Sequence, residues 1–246
     1  IAFRLMYRRP EEHPRISAAE REYILADRAA ERHSAEMPAL PLAALLRMRQ
    51  TWGIIFGKAL TDPIWFFITD WFAIYLVARG FVLEDSLLAF WVPFVAADAG
   101  NFLGGGLSSY MIRRGVSVGT ARKTVVIAGG AGMSFLAATV WMTELAPLTA
   151  CFAIATCSYA ALSTMVLNLP ADVYHTESVA TVSGLSGTGA GIGTIAATFF
   201  TGWVADRYSF APVLLGASVV PLLAVASVVL LVRNDRNTDA GLLRAL

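Results

Sequence analysis

After residue 50, the hydrophobic residues of this chain are gathered in long, nearly uncharged stretches. Each stretch approaches the roughly 20 residues that an α-helix needs to cross a bilayer, and short polar joints separate one stretch from the next. The lengths and the lack of strict alternation disfavour a β-barrel. The pattern therefore predicts six membrane-spanning helices, over 52–77, 86–112, 124–142, 148–169, 179–204 and 212–232.

Residues 1–50 have the opposite character and include nine arginines and six glutamates. Ser17 and Glu20 have the spacing of a capping box, which predicts a surface helix over 18–33, followed by a turn at Pro38 and Pro41. Lying flat on a membrane is the minor alternative for this helix. The chain thus divides into a polar segment (1–50), a helical bundle (51–232) and a polar tail (233–246).

Composition agrees with an integral membrane protein and excludes other classes. The chain is 57% hydrophobic and 15% charged, against about 45–50% and about 25% in soluble domains. A net charge of +1 gives no reason to expect a nucleic acid partner. Cys151 and Cys157 lie in one apolar stretch and are expected to be packing residues, not a disulfide or metal ligands.

The basic residues are distributed unevenly about the predicted helices. If residues 1–50 lie in the cytoplasm, all 19 lysines and arginines except Arg79 and Arg207 fall on the cytoplasmic side. Cytoplasmic loops of membrane proteins carry such an excess of positive charge. We therefore expect a multi-pass protein with its first segment and its tail in the cytoplasm.

The first span contains polar residues, which are costly in a bilayer and usually face a protein interior or a water-filled cavity. Asp62, Trp65, Thr69 and Asp70 have helical spacing and are expected on one face. Asp62 and Asp70 are candidate proton or ion-pair sites. Because Lys58 lies four residues before Asp62, a structural ion pair is the alternative for Asp62.

The second span carries a third candidate acid, Asp98, one turn before Asn101. The alternative for both residues is a hydrogen bond to a neighbouring helix or to the basic loop that follows. Three successive glycines, 104–106, would let another helix come close.

The fourth span ends in uncharged hydrogen-bonding residues, Ser163, Thr164 and Asn168. These side chains could hold a sugar hydroxyl or a carboxylate. Serine and threonine also bond the backbone of their own helix, which is the alternative for the first two.

The fifth span contains a glycine-rich run, 182–194, with Ser183 and Ser186. Its spacing is not that of a dinucleotide-binding loop, and no βαβ pattern surrounds it. The pairs Gly187/Gly191 and Gly189/Gly193 predict close helix packing, so that Gly191→Leu should lower the folding yield. Exposed backbone that contacts a substrate is the alternative.

Motifs for chemistry are missing from the sequence. It contains no nucleophile elbow, no phosphate-binding loop and no metal-ligand spacing. We therefore expect neither an enzyme nor a metal or cofactor.

Four segments of the chain resemble the major facilitator superfamily, and within it the anion:cation symporters of the bacterial hexuronate (glucuronate/galacturonate) type. The segments are YRRPEEHPRISAAEREYI (7–24), LTDPIWFFITDWFAIYL (60–76), DAGNFLGGGLSSYMIRRG (98–115) and TVSGLSGTGAG (181–191). The second and fourth segments are the most specific.

The resemblance implies an all-α integral membrane protein, the C-terminal half of a fold with twelve helices in two halves. Residues 1–50 would be the end of helix six and a cytoplasmic linker, and 51–232 would be helices seven to twelve. The resemblance further implies a carrier of the bacterial inner membrane that moves a sugar acid or related organic anion with a proton. Its partners would be that substrate, the proton, the bilayer and an N-terminal six-helix half, which would carry most of the coupling acids.

The resemblance also implies a set of substrate contacts, and Asp70 departs from it because relatives usually have an aromatic or apolar residue there. A second acid would repel a uronate unless it were protonated or paired. The substrate contacts that the resemblance implies are Trp65, Tyr75, Asn101, Ser163, Thr164, Asn168, Ser183 and Ser186.

The alternative function is a membrane binding or sensor module, derived from half a carrier, that does not transport.

Overall fold

A computed structural model describes residues 11, 14–34, 40–82 and 87–233, and their regular secondary structure is entirely helical. A π-helical segment, Phe67–Trp71, and a 3-10 segment, Ser134–Trp141, extend two of the helices. The α-helices are α1 (Ala18–Ser34), α2 (Leu42–Arg47), α3 (Arg49–Ala59), α4 (Asp62–Phe66), α5 (Phe72–Ala78), α6 (Leu87–Arg113), α7 (Val118–Met133), α8 (Leu145–Val173), α9 (Thr176–Arg207) and α10 (Ala211–Leu231).

Four helical segments in the described ranges are long and apolar enough to cross a membrane, by length and composition alone: Arg49–Ala78, Val118–Trp141, Leu145–Val173 and Ala211–Leu231. Helices α6 and α9 are of similar length, with 27 and 32 residues. The many Gly, Ser and Thr residues of α9 make it less apolar. The all-helical membrane fold is confirmed, and the count of six spans stays a prediction.

Helix α1 confirms the helix predicted from the capping box. The backbone N–H of Glu20 donates to Ser17 Oγ at 3.2 Å, which satisfies one N–H of the first turn. The predicted turn at Pro38 and the tail after Arg233 lie outside the described residues, whereas Pro41 directly precedes α2.

The first predicted span is broken near its middle. Helix α3 ends at Ala59, residues 60 and 61 form a turn, and α4 starts again with Pro63 in its first turn. Proline lacks an N–H and fits a first turn, whereas in a helix interior it removes a backbone hydrogen bond. The break therefore lies where the sequence disfavours a continuous helix.

The π-helical segment changes the number of residues per turn within the first span. Asp62 and Trp65 both contact Tyr159 of α8, whereas Thr69 and Asp70 are exposed. The single face predicted for these four residues stays a prediction.

Contacts between helix ends show which ends lie together. At one end, Thr51 Oγ1 in α3 lies 2.7 Å from the Tyr174 hydroxyl after α8. At the same end, the Leu40 N–H donates to Ser178 Oγ in α9 at 3.2 Å. Residues 40–51 therefore pack where α8 ends and α9 begins.

The opposite end is joined by Arg79, which follows α5. Its guanidinium donates to the backbone carbonyls of Val140 and Met142, between α7 and α8. The two sets of contacts fit helices that run up and down in succession.

Within the bundle, α8 packs against both α6 and α7, and α3 packs against α9 and α10. The α6–α8 contact is close at two glycines one turn apart. A Cβ at Gly100 would overlap the carbonyl group of Cys157, and one at Gly104 would lie 2.7 Å from the Ala161 Cα. The predicted close approach is confirmed at Gly104, whereas Gly105 has no described atom within 4 Å of its Cβ position.

Candidate functional site

Asp62 is held by a cation and a hydroxyl. The Lys58 ammonium lies 2.9 Å from Asp62 Oδ2, and the two side chains are only 11% and 12% exposed. The Tyr159 hydroxyl of α8 donates to the other carboxylate oxygen at 3.3 Å. The structure therefore contains the ion pair that the sequence offered as the alternative, and this pair ties the break between α3 and α4 to α8.

Trp65 lies where three helices meet. Its indole stacks on the Tyr159 ring, with centroids 6.1 Å apart and planes inclined by 13°. It also meets the Phe94 ring of α6 edge to face at 5.7 Å. Trp65 itself is half-buried.

Asn101 and Thr164 join α6 to α8. The Thr164 hydroxyl lies 2.7 Å from Asn101 Oδ1 and 2.9 Å from the Ala160 carbonyl of its own helix, so its single proton has two acceptors within reach. Asn168, one turn further along α8, donates from Nδ2 to the Thr164 carbonyl at 2.7 Å. The interhelical hydrogen bond expected for Asn101 is therefore present.

Asp98 is exposed one turn before Asn101. At 1.5 Å per residue, both lie about 17–21 Å from the start of α6, which would be near the middle of a hydrocarbon layer of about 30 Å if α6 crosses the membrane as the sequence predicts. Asp98, Asn101, Thr164 and Asn168 form what we call the polar face. It presents hydrogen-bonding groups and one carboxylate; Asp98 and Asn101 are exposed, whereas Thr164 and Asn168 are partly buried.

The three candidate serines divide by exposure. Ser163 is 9% exposed and Ser186 is 4% exposed, and Ser186 donates to the Ser183 carbonyl of its own helix at 2.9 Å. Ser183 alone among them is exposed. No described contact connects Ser183 or Ser186 to the polar face.

Tyr75 lies apart from the other candidates, in the packed interior. Its side chain is 2% exposed, and its hydroxyl donates to the Thr139 carbonyl at 3.3 Å. Its ring packs against Phe152 and Phe210, with centroids 5.8 and 5.6 Å away. The structure therefore does not bring Tyr75 to the polar face.

Asp70 is exposed in the π-helical segment and accepts a hydrogen bond from Thr69 Oγ1 at 3.1 Å. Segments of this kind are frequent at functional sites. No described contact links Asp70 to Asp62 or to the polar face.

The glycines of α9 face two ways. A Cβ at Gly189 would lie 2.6 Å from Ile55 Cγ2, and one at Gly193 would overlap the Ala59 carbonyl. The predicted packing of this pair is confirmed, against α3. At Gly187 and Gly191, no described atom lies within 4 Å, so the packing predicted for them is not made within the described chain. Residues two apart differ by about 200° around an α-helix, so the two pairs point to opposite sides.

Sequence reasoning missed an ion pair that joins three helices. Arg122 Nε of α7 lies 3.0 Å from Asp172 Oδ2 of α8, and its Nη1 donates to the buried Ser108 hydroxyl of α6 at 3.3 Å. The third span predicted from the sequence begins at residue 124, which leaves Arg122 in the basic loop before it. The sequence did contain a signal for this pair, because Asp172 lies near the end of the fourth predicted span, on the same side of the bundle as the basic loop.

Comparison with known proteins identifies the class of protein. The family model described as Major Facilitator Superfamily matches residues 1–198. The chain is 28% identical over 241 residues to the hexuronate transporter of Escherichia coli (strain K12), an alignment that covers 95% of this chain and 55% of that protein.

Two shorter matches name related substrates. The galacturonate transporter of Dickeya chrysanthemi is 33% identical over 100 residues, which are 40% of this chain and 29% of that protein. The probable galactarate/D-glucarate transporter of Escherichia coli (strain K12) is 36% identical over 132 residues, 49% of this chain and 29% of that protein. The chain spans about half the length of the hexuronate transporter it matches. The resemblance drawn from the four sequence segments is confirmed.

Proposed function

The chain belongs to the Major Facilitator Superfamily, and from this premise we propose that it forms the C-terminal half of a secondary transporter that takes up a sugar acid, such as a hexuronate, together with a proton. The chain is a multi-pass membrane protein of a transporter family, not an enzyme. The substrate, the coupling ion and the assembly with a preceding half are the proposed parts.

The observation that carries the proposal is the polar face in an otherwise apolar bundle. Polar groups at membrane depth are costly and usually line a substrate path. Asn101 and Asn168 offer amide groups, and Thr164 offers a hydroxyl. These groups suit the hydroxyls of a sugar acid, and the half-buried Trp65 ring suits the apolar face of a sugar ring.

The described residues offer little to neutralise the carboxylate of such a substrate. Lys58 is paired with Asp62, and Asp98 adds negative charge to the polar face. We therefore assign the carboxylate-binding cation to the N-terminal half implied by the family. Protonation of an acid that faces the substrate would remove the repulsion, and this gives a physical reason for the proton to enter with the anion.

The mechanism that follows is alternating access. The two halves would rock about a site near the middle of the membrane and open it to one side at a time. The polar face would form one wall of this site, and the tight contacts at Gly100 and Gly104 would keep α6 and α8 moving as one body.

The proposed location is the inner membrane of a bacterium, with residues 1–50 and the tail in the cytoplasm. The distribution of lysine and arginine supports this orientation. The contacts of Leu40 with Ser178 and of Thr51 with Tyr174 are in accord with it, since they join the end of the polar segment and the first turn of α3 to the helix ends on the proposed cytoplasmic side.

The test uses the complete carrier, by which we mean this chain together with the preceding half. In proteoliposomes, glucuronate or galacturonate uptake should rise when the outside is made more acidic than the inside. A protonophore should remove this accumulation but leave exchange of labelled for unlabelled substrate.

Each other outcome contradicts a named part of the proposal. Uptake that ignores the proton gradient excludes proton coupling. Uptake of a different organic anion, but not of hexuronates, excludes the substrate class. Binding of a hexuronate without any flux favours the alternative, a membrane binding module derived from half a carrier.

A further inference from the structure

A cavity of about 370 Å³ opens at the end of the bundle where α7 begins and where α8 and α10 end. Ligand pockets in proteins commonly enclose roughly 300–1,000 Å³. Lys123, Asp172 and Arg233 lie among the residues around it, with apolar neighbours that include Leu169 and Val232. None of them belongs to the polar face, so the cavity is a separate site.

The described lining carries an excess of positive charge. Its acid, Asp172, is ion-paired with Arg122, at 3.0 Å. The Lys123 ammonium donates to the Val229 carbonyl at 3.2 Å, and an ammonium has three donors, so further donors remain for a ligand. Arg233 lies two residues after the end of α10 and is exposed. Two cations therefore face this cavity, while its carboxylate is already compensated.

The helix ends around the cavity add no net positive field. Val118 and Gly119, in the first turn of α7, bring N–H groups that have no acceptor within their own helix, whereas α8 and α10 end here with unpaired carbonyls, which favour cations. The preference for an anion therefore rests on the two cations.

We propose that this cavity binds the phosphate of an anionic phospholipid headgroup. The cavity lies at helix ends, at the depth where headgroups meet a membrane protein, and basic pockets between spanning helices suit such headgroups. Lys123 and Arg233 would contact the phosphate, and Leu169, Val173 and Val232 would contact the lipid's apolar part. The proposal uses the orientation given above to assign the lipid to the cytoplasmic leaflet, and it does not depend on the transported substrate.

The test measures lipid binding to the complete carrier in detergent by native mass spectrometry. Phosphatidylglycerol, phosphatidylcholine and inorganic phosphate are added separately. One phosphatidylglycerol should stay bound in preference to phosphatidylcholine. The double variant Lys123→Gln with Arg233→Gln should weaken this binding by roughly 30-fold, the effect of removing two cations at a membrane surface.

The matched control is Arg114→Gln. Arg114 is an exposed cation at the same end of the bundle, stacked over the Tyr110 ring at 5.1 Å, and it does not line the cavity. Its replacement should change the affinity less than twofold. Because Arg233 is exposed, Arg233→Gln alone tests the site even if the Lys123 variant folds poorly, and it should weaken binding severalfold.

Three outcomes would overturn the proposal. Equal losses in the cavity and control variants would show that general surface charge attracts the lipid. Equal retention of phosphatidylcholine would remove the preference for an anionic lipid, and competition by inorganic phosphate at similar concentration would assign the cavity to free phosphate. Uptake measured on the same samples distinguishes failure of the lipid proposal from failure of the transport proposal, since a carrier that takes up no hexuronate can still bind the lipid.

Discussion

The Thr164 hydroxyl of α8 lies 2.7 Å from the Asn101 amide oxygen of α6. This hydrogen bond joins the same two helices that come together at Gly100 and Gly104. Hydrogen bonds between helices within a membrane average only about 0.6 kcal/mol. The bond therefore contributes little to holding the helices together and more to fixing the positions of two polar groups on an exposed face.

A double-mutant cycle with Asn101→Ala and Thr164→Val should measure this bond. We expect a coupling free energy of about 0.6 kcal/mol in the unfolding of the complete carrier. Each single variant should also raise the KM for a hexuronate several-fold, because a lost substrate hydrogen bond is worth about 1 kcal/mol.

Thr156→Val is the matched control for this cycle. Thr156 is a buried residue of α8 whose hydroxyl donates to the Phe152 carbonyl of its own helix at 2.6 Å. Combined with Asn101→Ala, it should show no coupling. Coupling equal to that of Thr164→Val, or none for Thr164→Val itself, contradicts the interhelical bond.

Two glycines of α9 give opposite expectations. A side chain at Gly193 would run into the Ala59 carbonyl of α3, so Gly193→Leu should destabilise the carrier by about 1–3 kcal/mol or more. Gly191 has no described atom within 4 Å of its Cβ position, so Gly191→Leu should leave yield and melting temperature unchanged. Size-exclusion chromatography and thermal unfolding of the two variants compare them directly.

Measurements of uptake should distinguish these two variants further. Gly191 is exposed, and we expect it to face the preceding half, so Gly191→Leu should lower uptake without lowering yield. Loss of yield in Gly191→Leu, with a normal yield of Gly193→Leu, would contradict the packing seen in the structure.

These glycines also show what can and cannot be predicted from the sequence. Its length, apolar stretches and basic loops predict a helical membrane protein, and paired small residues predict close packing in α9. The sequence does not tell which glycine pair meets α3, because both pairs have the same spacing. That choice depends on the rotation of α9, which tertiary contacts decide.

The candidate site shows the same limit. Asn101, Thr164 and Asn168 could be predicted, because polar residues at membrane depth need partners. The burial of Tyr75 could not, because the break after Ala59 and the π-helical segment alter the register of the first span. The only indication of these irregularities that we find in the sequence is Pro63.

The Lys58–Asp62 ion pair predicts a difference between single and double variants. Asp62→Asn leaves a nearly buried ammonium without its carboxylate and should cost about 3 kcal/mol. Lys58→Met combined with Asp62→Leu removes both charges, and its stability should be close to that of the wild type. Chemical denaturation in detergent would compare the two, and equal stability of the single variant and the wild type would argue against a structural pair.

The same variants test whether Asp62 carries a coupled proton. If the pair is structural, the double variant should still accumulate substrate when driven by a proton gradient. Tyr159→Phe is a milder control, since it removes only the hydroxyl 3.3 Å from Asp62 and should cost about 1 kcal/mol. A stable double variant that exchanges substrate but no longer accumulates it would assign proton coupling to Asp62.

Asp98 is the acid that we expect to respond to the substrate. An ionised carboxylate about 8 Å from the carboxylate of a bound sugar acid would oppose binding by about 2 kcal/mol at an effective dielectric constant of about 20. Asp98→Asn removes this charge, so its KM for hexuronate uptake should be lower, by up to roughly 30-fold. Asp70→Asn is the matched control, because Asp70 is also exposed but lies outside the polar face, and it should keep the wild-type KM. A lower KM in the Asp70 variant, with an unchanged KM in the Asp98 variant, would move the role to Asp70.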